Sequence, residues 1–261
     1  AYWDNFDAIA SSGAINAIIS AMQSNSGSED IQENACCIFW NLFSHPNKDI
    51  AVFIEVRGIK NIIKAMQTLP ESVPVQKMAC GALWSLVSGS DEAKTSVASA
   101  GGIDALLCAV AIHQYHVGIL EMACSVLASL SVKREHASTI LNGGGVFAIV
   151  ESMRSNISSV ILLERGSLLL RNIAAFGPEF ADETVSGVTT VIKGMDEHPD
   201  SVGLQREACG ALWSLAANSE RCKDRIMVAG GVDSIIRSME HNNCVSEIQE
   251  FGREAFQQLV G

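Results

Sequence analysis

Side chains that could carry out chemistry are few and scattered in this sequence. His113 and His116 stand three residues apart in HQYH, a spacing that two metal ligands could have, but no third ligand is apparent. The glycine run 143–145 lacks the Lys-Ser/Thr pair of a phosphate-binding loop. No Ser-His-Asp or Cys-His arrangement follows from spacing. The sequence therefore predicts a non-enzyme with no catalytic residue, no metal site and no cofactor, and we interpret both histidines as solvated loop residues.

The cysteines fit a core role better than a redox or metal role. There are eight, without a C-x-x-C pair or a histidine at zinc-finger spacing. Four of them follow an alanine at repeating intervals, as small core residues would: Cys36, Cys80, Cys124 and Cys209. We expect reduced thiols, which indicates a cytoplasmic protein.

Composition and charge narrow the choice of partner. The chain has 261 residues, 48% of them hydrophobic, and a formal net charge of −11. A nucleic-acid binder needs a basic surface, so nucleic acid is excluded as the main ligand. Direct docking on an anionic membrane is disfavoured for the same reason, whereas a basic protein or peptide is favoured.

The sequence predicts no membrane insertion. Its longest apolar stretch, Ala105–Ile112, is far shorter than the roughly 20 residues of a spanning helix. The chain begins AYWDNF without an initiator methionine, which we interpret as a processed or trimmed terminus. A lipid anchor or targeting segment outside this chain, with attachment to the periphery of a membrane, remains open.

One short phrase leads to the architecture. ACGALWSL occurs twice, at Ala79–Leu86 and Ala208–Leu215. A glycine followed by a short apolar helix also recurs along the chain at intervals of 42 to 45 residues, at Gly13, Gly58, Gly102, Gly145, Gly187 and Gly231. A second anchor, a small residue in the third helix, keeps the same period at Ala35, Ala79, Ala123, Gly166, Ala208 and Gly252. Two anchors with one period indicate a repeat protein.

Each repeat is predicted to contain three helices. A short first helix ends at the glycine, a second of about ten residues follows, and a third of about fifteen carries the ACGALWSL phrase. In repeat six the polar residues Arg253, Glu254, Gln257 and Gln258 replace this phrase, which is typical of a capping repeat. The six repeats span residues 1–44, 45–88, 89–132, 133–175, 176–217 and 218–261.

These features resemble the armadillo repeat, and the glycine break distinguishes it from the HEAT repeat. The resemblance covers the whole chain. It implies an all-α fold, a right-handed superhelical solenoid with three helices per repeat, formed by a single domain over residues 1–261. It also implies that the third helices line a concave groove in which extended peptides or partner proteins bind.

The groove resembles the β-catenin and importin-α types only in part. In those families an asparagine near the end of the third helix holds the peptide backbone. The matching positions here are Asn41, Ser85, Ser129, Asn172, Ser214 and Gln258. The importin-α tryptophan, four residues earlier, is absent at every repeat.

Tryptophan instead comes one residue before the asparagine position, as Trp40, Trp84 and Trp213, with Arg171 in repeat four. Two interpretations stay open: edge-of-core packing between third helices, or contact with a partner. A glycine precedes Trp84 and Trp213 by three residues, at a cost of about 1 kcal/mol relative to alanine. Close approach of a neighbouring helix backbone, or an open notch beside the indole, would explain it.

The sequence thus predicts a protein–protein interaction adaptor that holds a partner protein or extended peptide along the groove. The alternative is a structural or membrane-tethered scaffold component that uses its convex face or end repeats. The predicted groove residues are Trp40, Asn41, Trp84, Ser85, Ser129, Arg171, Asn172, Trp213 and Ser214.

Overall fold

The computed structural model describes residues 13–44, 53 and 57–261 of the chain, and all regular structure in these ranges is helical. The chain divides into two compact units, unit 1 (Ala1–Leu130) and unit 2 (Ser131–Gly261). Each unit is a stack of helices.

Unit 1 contains seven helices within the described ranges. In chain order they are α1 (Ala14–Ser24), α2 (Glu29–Phe43), α3 (Gly58–Thr68), α4 (Val73–Val87), α5 (Asp91–Ser99), α6 (Gly102–Ile112) and α7 (Val117–Leu130). The long helices α2, α4 and α7 are the third helices of their repeats. Each packs beside the next, α2 on α4 and α4 on α7, and these are the most extensive helix contacts in the unit.

Unit 2 repeats the pattern. Its helices are α8 (Arg134–Asn142), α9 (Gly145–Ser155), α10 (Val160–Ala174), α11 (Pro178–Glu183), α12 (Val188–Glu197), α13 (Val202–Asn218), α14 (Glu220–Val228), α15 (Gly231–His241) and α16 (Ser246–Val260), with a 3₁₀ turn at Val185–Gly187. The third helices α10, α13 and α16 again pack in sequence.

The third helices bury the stripe that the sequence predicts. In α4 the side chains of Ala79, Cys80, Leu83 and Leu86 are fully buried. The four cysteines predicted to be core residues are buried as well, and each is a free thiol. Stacking is what covers this stripe, because the neighbours of α4 are the third helices on its two sides.

The break before the second helix uses two neighbouring positions. A residue in the left-handed conformation precedes α6 at Gly101 (φ 83°), and Gly144 and Gly230 precede α9 and α15 in the same way. The next residue, Gly102, must also lack a side chain, because a Cβ there would stand 2.7 Å from the carbonyl oxygen of Val97. The first helix and its successor therefore meet too closely for any other residue.

Repeats one and five depart from the predicted glycine period. Gly13 is itself the left-handed residue (φ 76°), so it corresponds to Gly101 and not to Gly102. The interval of 45 residues assigned to it is therefore one too long. In repeat five a 3₁₀ turn replaces the left-handed residue, and Gly187 has an ordinary φ of −78°.

A glutamine near the start of the third helix fastens the loop before it. In α4 the Gln76 Nε2 atom donates to the carbonyl oxygens of Met66 (2.8 Å) and Leu69 (3.0 Å), at the end of α3. These are carbonyls that a helix end leaves unpaired. The same pair of bonds recurs at Gln32, Gln205 and Gln249.

The capping prediction for repeat six holds for only part of its surface. Arg253, Gln257 and Gln258 are exposed as expected. Helices α15 and α16 of this repeat also expose the apolar side chains of Ile236 (38%), Phe256 (36%) and Val260 (55%).

Within the described residues no single helix combines the length and the apolar character of a membrane span. The helices α5 and α6 reach both only when taken together, and they are bent by 74° at their junction.

Replacing Gly101 by alanine should destabilise unit 1. A left-handed backbone costs an L-residue about 1–2 kcal/mol. The nearest atom to the new methyl group would be 3.8 Å away, so the substitution introduces no steric clash and the backbone strain alone sets the loss. The free energy of unfolding from urea titration measures the loss. Gly27→Ala is the control, because its site is open and its φ lies outside the left-handed region. Equal losses of unfolding free energy from the two substitutions would contradict a left-handed backbone at Gly101.

Thiol labelling should separate buried from exposed cysteines. Burial, with a contribution from neighbouring Cys37, raises the pKa of Cys36 to about 12, and burial raises the pKa of Cys80 to about 12. Iodoacetamide at pH 8 should therefore modify the exposed Cys108 and Cys244 in the native protein and leave Cys36 and Cys80 unmodified. Mass spectrometry of tryptic peptides measures this, with the urea-unfolded chain as the control in which all four react.

Candidate functional site

The side chains predicted to face a groove occupy two adjacent registers of the third helices. We call the register of Trp40, Trp84, Arg171 and Trp213 the ladder position. All four side chains are half-buried, in α2, α4, α10 and α13 respectively. They are thus neither core residues nor free surface residues.

Trp40 explains the glycine of the next repeat. A Cβ on Gly81 would lie 2.6 to 2.8 Å from atoms of the Trp40 ring, a distance that real Cβ atoms do not show. The indole from α2 therefore occupies the space beside α4 that glycine leaves. Both sequence explanations are wrong in detail: the neighbour is a side chain and not a helix backbone, and the notch is filled and not open. The glycine also serves the preceding repeat's ladder residue, not the tryptophan three residues after it.

Unit 2 uses the same notch for a different side chain. The Arg171 side chain lies over Gly210, where a Cβ would come within 3.0 Å of its Cδ and Nε atoms. Its Nη1 atom is 3.1 Å from Oε2 of Glu207, and its Cζ atom is 4.2 Å from the ring centroid of Phe251. A cation between a carboxylate and an aromatic face is held by both.

Phe251 is a site residue that the sequence analysis missed. It stacks on Trp213 with ring centroids 5.9 Å apart and an interplanar angle of 19°. It occupies the same register of α16 that Glu207 occupies in α13, one residue before the small anchor residue. That shared register is the signal that could have identified both residues. Together Arg171, Phe251 and Trp213 form a continuous row, which we call the unit 2 aromatic row.

Charges surround this row. Glu207, only 9% exposed, also binds Arg206, whose Nε atom lies 3.0 Å from its Oε1 atom. Burial alone would lower the pKa of Arg206, but the hydrogen bond and charge of Glu207 raise the pKa overall. Along α16, Glu247, Glu250 and Glu254 follow helical spacing on the side that carries Phe251.

The asparagine-register residues differ in accessibility. Asn41 is exposed, and its Nδ2 atom donates to the carbonyl of Cys37 at 3.0 Å. Asn172 is half-buried and donates to Ser131 Oγ at 3.1 Å. The amide of Asn41 is thus the more available of the two for a peptide backbone.

The serines of this register lie closer to the repeat interfaces. Ser85 and Ser214 are 6% and 9% exposed. Ser85 Oγ is 3.1 Å from Ser44 Oγ, and Ser214 Oγ donates to the Arg171 carbonyl at 3.0 Å. Ser129 Oγ donates to the Ser125 carbonyl within α7 at 2.9 Å. Their contact with a peptide stays a prediction.

The interpretation of His113 as solvated is wrong. The side chain is 3% exposed, and its Nε2 atom lies 2.7 Å from the carbonyl oxygen of Pro70 in the preceding repeat. His198 makes the equivalent contact with Ile157 at 2.8 Å. The rings of His113 and His198 thus each connect their own repeat to the preceding one. Among the described residues, no group of three or more His, Cys, Asp or Glu side chains could hold a metal ion.

Solved structures of engineered repeat proteins share this architecture. An engineered protein from the Northeast Structural Genomics Consortium superposes with a TM-score of 0.78 at 23% identity, covering 94% of this chain and 96% of that chain. A designed armadillo repeat protein in complex with the peptide (KR)4 gives 0.76 at 18% identity, covering 93% and 98%. Computationally designed armadillo repeat proteins for modular peptide recognition give 0.79 at 18% identity, covering 93% and 98%.

Sequence comparison is more local. Residues 4–44 match the family model of the armadillo/beta-catenin-like repeat. No curated protein matches the chain.

Fold and site together define a helical-repeat solenoid in which the third helices α4 and α13 each receive a side chain, Trp40 and Arg171, from the third helix before them. These structural neighbours show that the chain has the fold of an armadillo-repeat solenoid, and residues 4–44 match one repeat of that family. Solenoids of this kind are commonly scaffolds that bind peptides or proteins, and they are typically non-catalytic.

The ladder arrangement predicts the outcome of a double-mutant cycle. Gly81→Ala should destabilise the protein by about 1–3 kcal/mol, because the methyl group displaces the Trp40 ring. In a Trp40→Ala background the same change should be neutral or stabilising by up to about 1 kcal/mol, the helix-propensity gain. Urea titrations of the four proteins, followed by circular dichroism, measure both effects. Equal effects in the two backgrounds would show that the notch serves another neighbour.

Proposed function

We propose that this protein is a non-catalytic cytoplasmic adaptor that binds an extended, basic peptide segment of a partner protein on its third helices. The observation that supports this most is the unit 2 aromatic row: Trp213 and Phe251 are half-buried, stacked and flanked on α16 by carboxylates. A stable core would bury these rings completely. Half-exposed aromatic residues of this kind are typical of protein interfaces.

The charge of the chain supports a basic ligand. The formal net charge is −11, and Glu247, Glu250 and Glu254 lie along the same helix as Phe251. Glu247 already lies 3.6 Å from Nη1 of Arg206, so a lysine or arginine could place its aliphatic stem on the rings and its cationic end near Glu250 and Glu254. The designed neighbour whose structure contains the peptide (KR)4 gives an example of this ligand class on the same fold.

Unit 1 offers a surface of different chemistry. Trp40 and Trp84 are half-exposed there, and Asn41 adds an exposed amide. These residues suit apolar side chains and a peptide backbone. Arg171, in unit 2, already contacts Glu207 and Phe251. In this proposal it therefore packs in the aromatic row and does not bind an acidic group of the partner.

A fluorescein-labelled (KR)4 peptide tests this function by fluorescence anisotropy. We expect binding that weakens as salt concentration rises, and no binding of an acidic peptide of equal length. Trp213→Ala and Phe251→Ala should each weaken binding by about tenfold or more, the effect of losing an aromatic hot spot.

Phe147→Ala is the matched control, because Phe147 is a 69% exposed aromatic residue on α9, a second helix and not a third helix of its repeat. It should leave the affinity unchanged. Folding of each variant is checked by its circular dichroism spectrum and melting temperature. Binding of the acidic peptide alone would refute a basic ligand, and variants that fold but keep full affinity would refute the aromatic row as the site.

A further inference from the structure

A depression of about 340 Å³ lies between the second helices of repeats two and three, α3 and α6. We call it the unit 1 depression. Because two consecutive repeats form it, both of its sides are present in the chain. Its volume falls in the range of small-molecule sites, roughly 300–1,000 Å³. Most of its lining is apolar and comes from Met66, Pro70, Ala105, Ala109 and Ile112.

Gln76, which also lines the depression, has a buried acceptor without a partner. The side chain is 1% exposed, and its Nε2 atom is used in both bonds to the end of α3. Its Oε1 atom accepts no hydrogen bond from any described residue. Among the buried side-chain nitrogen and oxygen atoms of the described residues, only Ser167 Oγ shares this state. A buried acceptor without a donor is costly, so the site favours a ligand that brings an N–H or O–H group.

The rim of the depression adds a negative charge. Asp104 stands in the first turn of α6, is exposed and lines the depression. It forms no salt bridge with any described residue. No lysine or arginine of the described residues lines the depression either. A ligand whose donor is also cationic therefore suits both the acceptor and the carboxylate.

The corresponding depression of unit 2 carries charges that pair with each other. It lies between α12 and α15, three repeats later in the chain, and repeats the methionine, proline and glutamine of the wall as Met195, Pro199 and Gln205. Its Arg237 Nη2 atom lies 2.7 Å from Oδ1 of Asp196. Unit 1 has Cys108 and Gln67 at these two positions. The unit 1 depression thus lacks the cation that its counterpart contains.

We propose that the unit 1 depression binds a small primary amine with an apolar body. The body packs on the apolar lining, the ammonium group supplies the donor that Gln76 Oε1 lacks, and its charge is attracted to Asp104. The site is formed by second helices of unit 1, whereas the aromatic row is on third helices of unit 2. It is therefore a second binding site and does not rest on the proposed peptide binding.

Isothermal titration calorimetry with phenethylamine tests the proposal, because this molecule joins one aromatic ring to one ammonium group. Saturable one-to-one binding is expected, with a Kd of about 1 mM or tighter. The control ligand is phenylacetate, which has the same ring on a short chain that ends in a carboxylate. It should bind at least about tenfold more weakly, since it offers Gln76 no donor and is repelled by Asp104.

Cys108 reports whether the amine occupies this depression. Its thiol is exposed and lines the depression, and Cys244 is an exposed thiol of unit 2 that serves as the internal control. With phenethylamine at about ten times its Kd, alkylation of Cys108 by iodoacetamide should slow about tenfold, because only the unoccupied protein reacts. The alkylation rate of Cys244 should not change. Mass spectrometry of tryptic peptides over a time course measures both rates.

Two substitutions change the chemistry of the site at exposed positions. Asp104→Asn should weaken phenethylamine binding by about fivefold or more. Its control is Asp233→Asn, because Asp233 has the same place in the first turn of α15 and the same effect on helix stability. A chain with both Gln67→Asp and Cys108→Arg reproduces the ion pair of unit 2 and should lose binding by about tenfold or more. Circular dichroism checks folding, and the Asp104→Asn comparison decides the test if the double variant does not fold.

The outcomes that would overturn the proposal are specific. Absence of saturable phenethylamine binding refutes it and leaves water as the donor to Gln76. Equal affinity for phenylacetate refutes a cationic ligand, and equal slowing at Cys108 and Cys244 refutes this location. Protection of Cys108 by the (KR)4 peptide but not by phenethylamine refutes a small-molecule ligand. None of these outcomes decides peptide binding by the aromatic row, which the Trp213 and Phe251 variants test separately.

Discussion

The structure depends on one constraint: no repeat can bury its own apolar side. In α4 the fully buried side chains of Ala79, Leu83 and Leu86 are covered by third helices from both directions. Apolar burial contributes roughly 25 cal/mol per Å², so the free energy of folding resides largely in the interfaces between repeats. Gly81, beside the ladder residue Trp40, allows this close packing of third helices. It gives up helix propensity and lets a large ring enter between two third helices.

Polar links reinforce the same interfaces. The buried His113 and its counterpart His198 each reach a carbonyl of the preceding repeat, and Ser85 meets Ser44. Within a repeat, Gln76 holds the end of α3 against the start of α4. A buried polar group without a partner would cost about 1–3 kcal/mol, so these recurrent pairs also fix the spacing of the stack. This spacing also brings Trp213 of α13 and Phe251 of α16 together, with ring centroids 5.9 Å apart.

Sequence alone predicted the elements well and their mutual contacts poorly. Helical periodicity and the recurring small residues sufficed for the third helices, because both follow from rules local to a few turns. The partner of Gly81 could not be predicted in this way, since it lies 41 positions earlier and periodicity carries no information about what fills a notch. His113 was misjudged for the same reason: a residue that ends a helix looks solvated until the neighbouring repeat is present. Phe251 was missed because its register carries a different residue type in each repeat.

The hydrogen bonds between repeats also affect how the chain folds and how whole repeats can be gained or lost. The bonds from Ser85, His113 and Ser214 each join residues 41 to 43 positions apart, which is the length of one repeat. The entropy of closing such a loop is modest and is the same at every step, so folding can begin at any repeat and extend to its neighbours. Loss or duplication of one whole repeat preserves a backbone carbonyl as partner for His113 and Ser214, because every repeat supplies one at that position. Two copies of ACGALWSL in one chain are what such a history of duplication would leave.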